Sequence, residues 1–362
     1  MKKIIVFLLA LCLVFAFVGC GGTETGDGEG KLRVSIILGK LGGAGIDDAS
    51  YAGYEKAVNE LPIEGRYIEQ GRDPSKFRAL VLEACENSDV VISTAGNGMI
   101  DEMIEAAEEF PEVMFMVLDT PIVQDNIADL PNFMGMMCSQ SEVSYLCGYL
   151  GMRMSKTGKI GVVVGVEYPV LCDFITGYID GAQAANPDAQ VAVSASGDWD
   201  DQAAAKETAL AQILLGVDTV YCVGSNSSFG SLEACKEQGV WGIGCDTDMA
   251  AQFIGIDDEQ ADVVITSAYK DWGAATYDFI RRVVEDPNLI PWGTVEIAGL
   301  HNGGIKLIKN EIYEKQVPAD IKAEIEELEQ KIINGDVKPR SYFANMTHDD
   351  YTDLKEAVRI TG

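Results

Sequence analysis

The sequence predicts an α/β protein with two consecutive domains, each built on a parallel sheet with helices on both faces. Short apolar strands alternate with helices along most of the chain, which is typical of covered parallel sheets. This alternation runs from about residue 32 to residue 154 and starts again near residue 159. A chain of 362 residues is also long for a single hydrophobic core. Two domains are therefore the natural expectation.

The N-terminal segment is predicted to direct export. Lys2 and Lys3 precede an apolar run over residues 4–18, and Gly19–Cys20 follows it. This is the pattern of a secretory signal peptide with a small residue before the cut. The apolar run is shorter than the ~20 residues that a membrane-spanning helix needs. A cysteine at the cut is typical of a bacterial lipoprotein, so Cys20 is the predicted lipid attachment site.

The first domain is predicted to contain three strands and three helices. The strands are apolar runs, and the helices repeat apolar residues every three or four positions. The predicted strands are residues 32–38, 89–93 and 114–118. The predicted helices are residues 51–61, 99–110 and 143–154, the last behind the capping-box pattern Ser139-x-x-Glu142.

The second domain repeats the pattern with four strands. They are residues 159–164, 190–194, 218–222 and 240–244. Helices are predicted over residues 171–182, 202–215 and 232–238. A further helix carries apolar residues at helical spacing from Ile321 to Ile332, with Pro318 ahead of it and Asn334-Gly335 behind it.

The charge of the chain excludes one class of partner. Asp and Glu number 57 against 27 Lys and Arg, which gives a net charge of −30. Such a surface repels the phosphate backbone, so we expect no binding of nucleic acid.

The cysteines are predicted to be free and buried. Of the nine in the chain, seven remain beyond Cys20, none with C-x-x-C spacing. Most lie inside apolar runs, where a thiol behaves as a small hydrophobic group. An odd number outside the cytoplasm argues against a complete set of disulfides, which stays the alternative.

Motifs for catalysis, phosphate binding and metal binding are nearly absent. The chain has only two histidines, His301 and His348, and lacks H-E-x-x-H and G-x-S-x-G. The loop over residues 39–45 is rich in glycine but lacks phosphate-loop spacing, which favours a flexible strand-to-helix connection. Asp246-Thr-Asp248 could begin a calcium loop, but Ala250 supplies no third ligand. We expect neither an enzyme nor a cofactor nor a metal site.

Polar residues gather where predicted strands end. Asp119 and Asp246 each follow or close an apolar strand, and the turn Gly96-Asn97-Gly98 follows another. In open α/β sheets this edge is where ligands bind. Two sheet edges that face one cleft would enclose a small molecule, and closure about a hinge would report its presence.

Several stretches resemble the basic membrane protein family, the nucleoside-binding lipoproteins of ABC transporters. The resemblance spans about residues 32–340 in order. It is carried by Gly45-Ile-Asp-Asp-Ala-Ser-Tyr51, Ser144-Tyr-Leu-Cys-Gly-Tyr-Leu150, Lys156-Thr-Gly-Lys-Ile-Gly161, Thr176-Gly-Tyr-Ile-Asp-Gly-Ala182, Ala185-Asn-Pro-Asp188, Thr266-Ser-Ala-Tyr-Lys270 and the helix at 321–334.

The resemblance implies a two-lobed, type I periplasmic-binding-protein-like fold with three crossings between the lobes. We expect a signal peptide at 1–19 and a flexible tether at 20–30. The first lobe is predicted at 31–156 plus about 267–295. The second lobe is predicted at 157–266 plus about 296–340, and residues 341–362 form an extension beyond the resemblance.

The resemblance also implies the ligand site. Tyr51 and Trp199 would stack on the two faces of a purine, and Asp119 would contact the base. Asp246 or Asp248, with Lys270, would hold the ribose hydroxyls. Asp48, Gly96 and Asn97 complete the predicted set. At two positions the chain departs from the family pattern, because Ala52 stands where Asn is usual and Leu38-Gly39-Lys40 lacks the usual Asp.

We therefore expect a monomeric solute-binding lipoprotein on the extracytoplasmic face of the cell membrane, with an ABC permease as partner. Three alternatives stay open from the sequence. The chain could serve a membrane receptor as its ligand-sensing subunit, it could bind a different nucleoside-like or sugar-like molecule, or it could be an exported nucleoside hydrolase.

Overall fold

The computed structural model describes residues 30–71, 73–94, 98–119, 121, 124–344 and 346–361. The described residues form twelve strands: β1 (Leu32–Leu38), β2 (Ile63–Glu69), β3 (Val90–Ser93), β4 (Met114–Leu118), β5 (Phe133–Cys138), β6 (Lys159–Val164), β7 (Gln190–Ala195), β8 (Thr219–Val223), β9 (Trp241–Asp246), β10 (Val264–Lys270), β11 (Thr294–Ala298) and β12 (Ile305–Leu307). They also form twelve α-helices: α1 (Ile46–Glu60), α2 (Phe77–Asn87), α3 (Ile100–Glu109), α4 (Gln140–Met154), α5 (Pro169–Ala185), α6 (Gln202–Leu214), α7 (Ser228–Gln238), α8 (Asp258–Val263), α9 (Trp272–Glu285), α10 (Glu311–Gln316), α11 (Ala319–Ile333) and α12 (His348–Ala357).

The strands form two six-stranded sheets, which confirms the predicted fold class. The first sheet has the order β11-β5-β4-β3-β1-β2 and the second has the order β12-β10-β9-β8-β6-β7. Neighbouring strands run parallel, apart from β12, which is antiparallel to β10. In each sheet the strand order reverses once near one end, between β1 and β3 and between β6 and β8. Ligands of open α/β sheets bind at such reversals.

The chain passes between the two lobes three times. β1 to β5 belong to the first sheet, β6 to β10 to the second, β11 to the first and β12 to the second. The crossings therefore lie near residue 139, at Asp271 and at residues 299–304. Backbone hydrogen bonds join them: Ser139 N donates to Ala298 O at 2.8 Å, and Asp271 N donates to Gly304 O at 2.9 Å. These bonds tie the three connections into one hinge.

The structure places the lobe boundaries at different residues from those predicted at 156, 266 and 295. Helix α4 was expected in the first lobe because it precedes the second series of strands, yet it packs along α5 and against β8, β10 and β12 of the second lobe. Strand β10 pairs in the second sheet and β11 in the first. Pairing partners and helix contacts decide lobe membership, and local sequence does not reveal them.

The capping box predicted at the start of α4 is wrong. The Ser139 side chain makes no capping hydrogen bond. The Glu142 carboxylate instead accepts a hydrogen bond from Leu300 N at 3.0 Å. Glu142 thereby links the first crossing to the third.

Glycines allow α4 and α5 to approach closely. A Cβ atom added at Gly148 would lie 2.0 Å from Tyr178 O, and one added at Gly181 would lie 1.9 Å from Tyr145 O. Only residues without a side chain permit backbone contact of this kind. Helix α5 therefore packs directly on α4, the helix that begins at the hinge.

The C-terminal residues are part of the second lobe. Asp173 on α5 is buried and accepts hydrogen bonds from Ser341 Oγ at 2.6 Å and from Tyr342 N at 2.7 Å. Val191 N on β7 donates to Val358 O at 2.7 Å. The extension predicted at 341–362 thus packs against α5 and β7 through its described residues.

Two further features concern the core and the membrane. Cys85, Cys138, Cys147, Cys172, Cys222, Cys235 and Cys245 are buried and form no disulfide within the described chain. This confirms the prediction of free, buried thiols. Across residues 30–361, as far as they are described, no helix combines the length and apolar character of a membrane span.

We predict that Gly148→Ala lowers the free energy of unfolding by about 1–3 kcal/mol, because the added methyl group would force α4 away from α5. Gly151→Ala on the same helix is the matched control, since its nearest neighbours lie 3.3 Å from the added Cβ. We expect it to change stability by less than about 1 kcal/mol, since alanine also favours the helix. Urea unfolding followed by circular dichroism measures both, and equal losses in the two variants would contradict this packing.

Candidate functional site

A small cavity lies between the lobes at the carboxyl ends of both sheets. Its volume is about 60 Å³. It is lined by Ile46, Asp47, Thr94 and Asp119 from the first lobe and by Tyr168, Val170, Leu171, Phe174, Trp199, Val223, Gly224, Ser225, Asp246 and Lys270 from the second. The start of α1, which follows β1, and the loops that follow β3, β6 and β8 supply part of this lining. The cavity therefore sits at the reversal points of both sheets.

The centre of the site is the buried ammonium group of Lys270, the last residue of β10. Its side chain is 1% exposed. Lys270 Nζ donates to Asp119 Oδ1 at 2.9 Å and to Asp119 Oδ2 at 2.8 Å, and it lies 4.0 Å from Asp246 Oδ1. It also lies 4.6 Å from the centre of the Phe174 ring. Because Asp119 belongs to the first lobe, this ion pair crosses the cleft.

The two carboxylates keep Lys270 charged. Burial alone lowers the pKa of Lys270, but the charges of Asp119 and Asp246 outweigh it and hold the pKa above its ordinary value. Burial raises the pKa of Asp246, and the nearby ammonium of Lys270 opposes that rise. The site thus places the Lys270 ammonium donor beside two acidic side chains.

The backbone around this cluster is strained. Among the described residues, four that are not glycine have a positive φ, namely Ala44, Asp119, Ser225 and Asp246, with φ of 51°, 54°, 52° and 64°. Three of them line the cavity, and Ala44 is in the loop beside it. Each such residue costs about 1–3 kcal/mol and persists where its surroundings hold it. Strain of this kind typically gathers at ligand sites.

Asp47 supplies an acid that the sequence analysis considered missing. The chain has no Asp directly after β1, but the buried Asp47 carboxylate at the start of α1 reaches that strand end. It accepts hydrogen bonds from Gly39 N at 2.8 Å, from Lys40 N at 3.0 Å and from Thr94 Oγ1 at 2.5 Å. The I-D-D signature contains Asp47 and Asp48. The sequence predicts Asp48 as the ligand residue, whereas Asp47 is the one that lines the cavity.

The glycine-rich loop at 39–45 is neither a phosphate cradle nor a freely moving connection. Asp48 accepts hydrogen bonds from Gly42 N at 2.8 Å and Gly43 N at 3.0 Å, and Glu69 accepts one from Leu41 N at 3.1 Å. Carboxylates thus occupy the backbone donors that a phosphate would need. Asp48, predicted to bind ligand, holds this loop and is not among the residues lining the cavity.

The same loop touches the second lobe. Thr247 Oγ1 donates to Ala44 O at 2.7 Å. A Cβ atom on Gly45 would lie 2.9 Å from Ser225 Oγ, so the two lobes are in contact at this rim. Lys40 and Asp200 add an exposed ion pair at 3.7 Å.

Trp199 lies in the cavity wall. Its ring is half-buried and meets Tyr168 edge to face, with ring centres 5.9 Å apart. Gly165 lies directly beneath it, because a Cβ atom there would be 2.6 Å from Trp199 Cε3. Phe174 and Tyr168 extend this aromatic wall, and no sequence pattern predicted either as a site residue.

Tyr51, the other predicted stacking residue, lies outside the cavity lining. Its ring packs against Tyr67 at 5.1 Å and Tyr54 at 6.0 Å between ring centres. Helix α1 begins at Ile46 and not at Tyr51 as predicted. Tyr51 lies five residues after Ile46, so its side chain is rotated by about 140° around the helix axis from that of Ile46. Ile46 therefore faces the cleft from the first lobe, and Tyr51 faces β2. Ala52 is exposed.

Asp248 is not among the residues that line the cavity. Asp248 accepts hydrogen bonds from Asn310 Nδ2 at 2.9 and 3.1 Å and from Ala251 N at 3.3 Å, so it supports the loop after β9. Gly96, Asn97 and Cys20 lie outside the described residues. No group of three or more His, Cys, Asp or Glu side chains that could hold a metal occurs among the residues that the structure describes.

The cavity is too small for a nucleoside as the lobes now stand. A volume of 60 Å³ is far below the about 300–1,000 Å³ of small-molecule pockets. A larger cavity of about 730 Å³ lies beside the hinge. Its two buried or half-buried carboxylates, Asp173 and Glu142, already accept backbone hydrogen bonds that fasten the hinge. The smaller cavity holds the charged cluster, and it must widen as the lobes separate to admit a small molecule.

We predict that Lys270→Met lowers the free energy of unfolding by about 3–5 kcal/mol at pH 7, because it leaves buried carboxylates without their cation. Without the cation the pKa of Asp246 rises further. An acid whose pKa is raised by folding gains stability as the pH falls through that pKa towards the ordinary value of about 4. The deficit should therefore shrink between pH 7 and pH 4 in urea unfolding.

Lys315→Met is the matched control, since Lys315 pairs with Asp262 at 2.7 Å on the surface and its side chain is 58% exposed. Exposed pairs contribute about 0–1 kcal/mol. A Lys270 variant no less stable than this control would contradict a buried ion pair at the centre of the cleft.

Comparison with known proteins agrees with this architecture. Residues 31–339 match the family described as "ABC transporter substrate-binding protein PnrA-like". The chain is 27% identical over 353 residues to "Basic membrane protein A2" of Borrelia garinii subsp. bavariensis, covering 93% of this chain and 96% of that relative. It is 26% identical over 328 residues to "ABC transporter nucleoside-binding protein BmpA" of Lactococcus lactis subsp. cremoris, covering 85% and 92%.

A solved structure shares the fold. An ABC transporter system solute-binding protein from Aeropyrum pernix K1 superposes with a TM-score of 0.78 at 22% identity, covering 90% of this chain and 98% of that one. The family match covers both lobes and the hinge that joins them. The chain belongs to the PnrA-like family of ABC transporter substrate-binding proteins.

Proposed function

We propose that this protein binds a purine nucleoside between its two lobes on the extracytoplasmic side of the membrane and delivers it to an ABC permease. The observation that carries the proposal is the buried cluster of Lys270, Asp119 and Asp246 beside the ring of Trp199. The nucleoside-binding name of the Lactococcus lactis relative supports the choice of ligand class.

The chemistry of a nucleoside matches the two halves of the cavity. A flat base needs an apolar or aromatic face on each side. Trp199 offers one face, and Ile46 of the opposite lobe offers the other in the role that the resemblance gave to Tyr51. An aromatic contact adds about 0.5–1.5 kcal/mol beyond the area it buries.

The ribose hydroxyls and the base need hydrogen-bonding partners. Asp246 and Asp119 accept hydrogen bonds, and the Lys270 ammonium donates them. A polar group left unpaired in the closed cleft costs about 1–3 kcal/mol, so these three side chains discriminate between ligands. Purine nucleosides differ at the base, and Asp119 is the side chain proposed to contact it.

Access requires movement of the lobes about the hinge. The cavity holds no nucleoside at its present size, and the Lys270–Asp119 pair closes it from opposite lobes. Opening about the three crossings admits the ligand. Closing then restores the hydrogen bond from Thr247 to the Ala44 carbonyl and the contact between the loop at 39–45 and Ser225.

The proposal includes a lipid anchor at Cys20. The signal-peptide pattern and the cysteine at its end support it. A soluble two-lobed receptor needs only a tether to stay near its permease. Two acyl chains on one residue would make this attachment durable, where a single chain is marginal.

We predict that Trp199→Ala weakens nucleoside binding about tenfold, a loss of about 1.4 kcal/mol. Tyr51→Ala, the matched aromatic control outside the cavity, should change affinity by less than about twofold. Isothermal titration with adenosine, guanosine and inosine, on protein freed of carried-over ligand, measures both. Absence of heat with every nucleoside would refute the ligand class, and an equal loss in the two variants would refute the placement of the site.

We also predict that growth of the source organism with labelled palmitate labels this protein, and that Cys20→Ser abolishes the label while export persists. The reason is that the thiol of Cys20 is the proposed attachment point for lipid. Cys85→Ser is the control, since that thiol is buried in the first lobe. Label that survives Cys20→Ser would exclude this anchor.

A further inference from the structure

The hydroxyl group of Thr94 is arranged to accept, and not to donate, a hydrogen bond at the cavity. Thr94 directly follows β3, lines the cavity and is 2% exposed. Its Oγ1 lies 2.5 Å from Asp47 Oδ1 and 3.5 Å from Ile37 O. Both neighbours are acceptors, and the single hydroxyl proton goes to the nearer one, the carboxylate. A ligand in the cavity therefore meets the lone pairs of Thr94 Oγ1.

Asp47 fixes this orientation of the hydroxyl group. The Asp47 carboxylate is buried and is itself held by Gly39 N at 2.8 Å and Lys40 N at 3.0 Å. The backbone of Thr94 is held as well, since Thr94 N donates to Ile37 O at 3.1 Å. Turning the hydroxyl proton towards a ligand would take a charge-assisted hydrogen bond from a buried carboxylate, and such bonds are among the strongest in proteins. Asp47 is thus a positioning residue for Thr94.

Asp119 supplies a second acceptor beside Thr94. Ser93 of β3 is paired with Val117 of β4 in parallel register, so Thr94 and Asp119 follow the ends of neighbouring strands. Such strands lie about 4.7–4.9 Å apart. Asp119 accepts hydrogen bonds from Lys270, but each carboxylate oxygen has a second lone pair. Both residues line the cavity, and together they present adjacent acceptors to a ligand.

The wall that the first lobe contributes offers no free side-chain donor among its described residues. One of these residues is apolar, two carry carboxylates, and the fourth has its proton committed to Asp47. They are Ile46, Asp47, Asp119 and Thr94. Asn is usual in the family at the position of Ala52, and an amide both donates and accepts hydrogen bonds. Ala52 can do neither, so the chain lacks the side chain that would pair with a base acceptor.

A wall of acceptors distinguishes between purine bases. Guanine has two donor groups next to each other on one edge, the N1–H group and the amine at C2. Adenine has a lone pair at N1 and no amine at C2, so the same edge would set lone pair against lone pair. A buried polar group without a partner is unfavourable, and sites built to pair with a donor reject analogues that lack it.

We propose that Thr94 and Asp119 bind the donor edge of guanine, and that Thr94 makes the site select guanosine over adenosine. This selectivity rests on the proposed function, in which Asp119 contacts the base and Asp246 with Lys270 holds the ribose. Because the ribose occupies the donor group of the second lobe, the base edge meets the acceptors of the first. The missing amide at position 52 then accounts for a narrower choice of base.

The wild-type protein is tested first, with a series of ligands. Isothermal titration compares guanosine, adenosine, inosine and the riboside of 2,6-diaminopurine on protein freed of carried-over ligand. Guanosine should bind about tenfold more tightly than adenosine, or better. Inosine keeps only the N1–H group and the diaminopurine riboside keeps only the C2 amine, so both should fall between the two.

Variants at position 94 then test the acceptor itself. Thr94→Val removes the oxygen at nearly constant shape, so guanosine should bind about tenfold more weakly while adenosine changes by less than about twofold. The preserved affinity for adenosine shows that the variant is folded. Thr94→Ser keeps the hydroxyl group and should keep the preference. Thr276→Val is the matched control, since Thr276 is buried in α9 and is not among the residues that line the cavity.

The positioning role of Asp47 has its own readout in the same titration. Asp47→Ala frees the Thr94 hydroxyl group to rotate and donate to N1 of adenine. The ratio of the two affinities should therefore narrow by about tenfold, whatever the variant does to affinity in general. An equal loss for guanosine and adenosine would reduce Asp47 to a structural role.

Several outcomes overturn the selectivity. Adenosine that binds the wild-type protein as tightly as guanosine excludes it, as does an equal loss of both ligands in Thr94→Val or the same change of preference in Thr276→Val. These results leave the binding of purine nucleosides intact. Absence of binding with all four ligands refutes the proposed function instead, and the selectivity falls with it.

Discussion

The ion pair between Lys270 and Asp119 is the contact on which the cleft depends. Lys270 ends a strand of the second lobe, Asp119 follows a strand of the first, and both are buried. A buried ammonium without carboxylate partners is strongly unfavourable. Separation of the lobes would expose both groups to water, and a molecule that enters must share or replace the bond between them. In the proposed function, this one charge pair couples ligand binding to lobe movement.

The surroundings of this pair are arranged to leave the lobes themselves rigid. Asp119 and Asp246 are held in the left-handed region, and the carboxylates of Asp47 and Asp48 fasten the loop that follows the first strand. Hydrogen bonds join the three crossings to one another. Rotation about this hinge is the movement that the proposed function requires.

Sequence patterns predicted several buried strands well, although β5 and β10, which are buried too, were not predicted. Strands such as β4, β6 and β8 are continuous apolar runs, and their predicted bounds agree with the structure within one residue. The edge strand β2 was not predicted. Four successive residues of its seven are exposed, so β2 is not a continuous apolar run. Helix α4 was also predicted in the first lobe, whereas it packs in the second. An amphipathic helix shows that one face is buried but not which sheet buries it.

The sequence by itself determined the α/β class, the two lobes and the placing of Asp119 and Asp246 at strand ends, because parallel strands bring their carboxyl ends to one edge. Only the tertiary structure decided that Ile46 and Asp47, and not Tyr51, face the cavity, since that depends on where α1 begins. It also decided that Lys270 meets Asp119, 151 positions earlier in the chain. Such a pair forms only when two sheets meet across a hinge, and no local sequence pattern specifies a contact between residues so far apart in the chain.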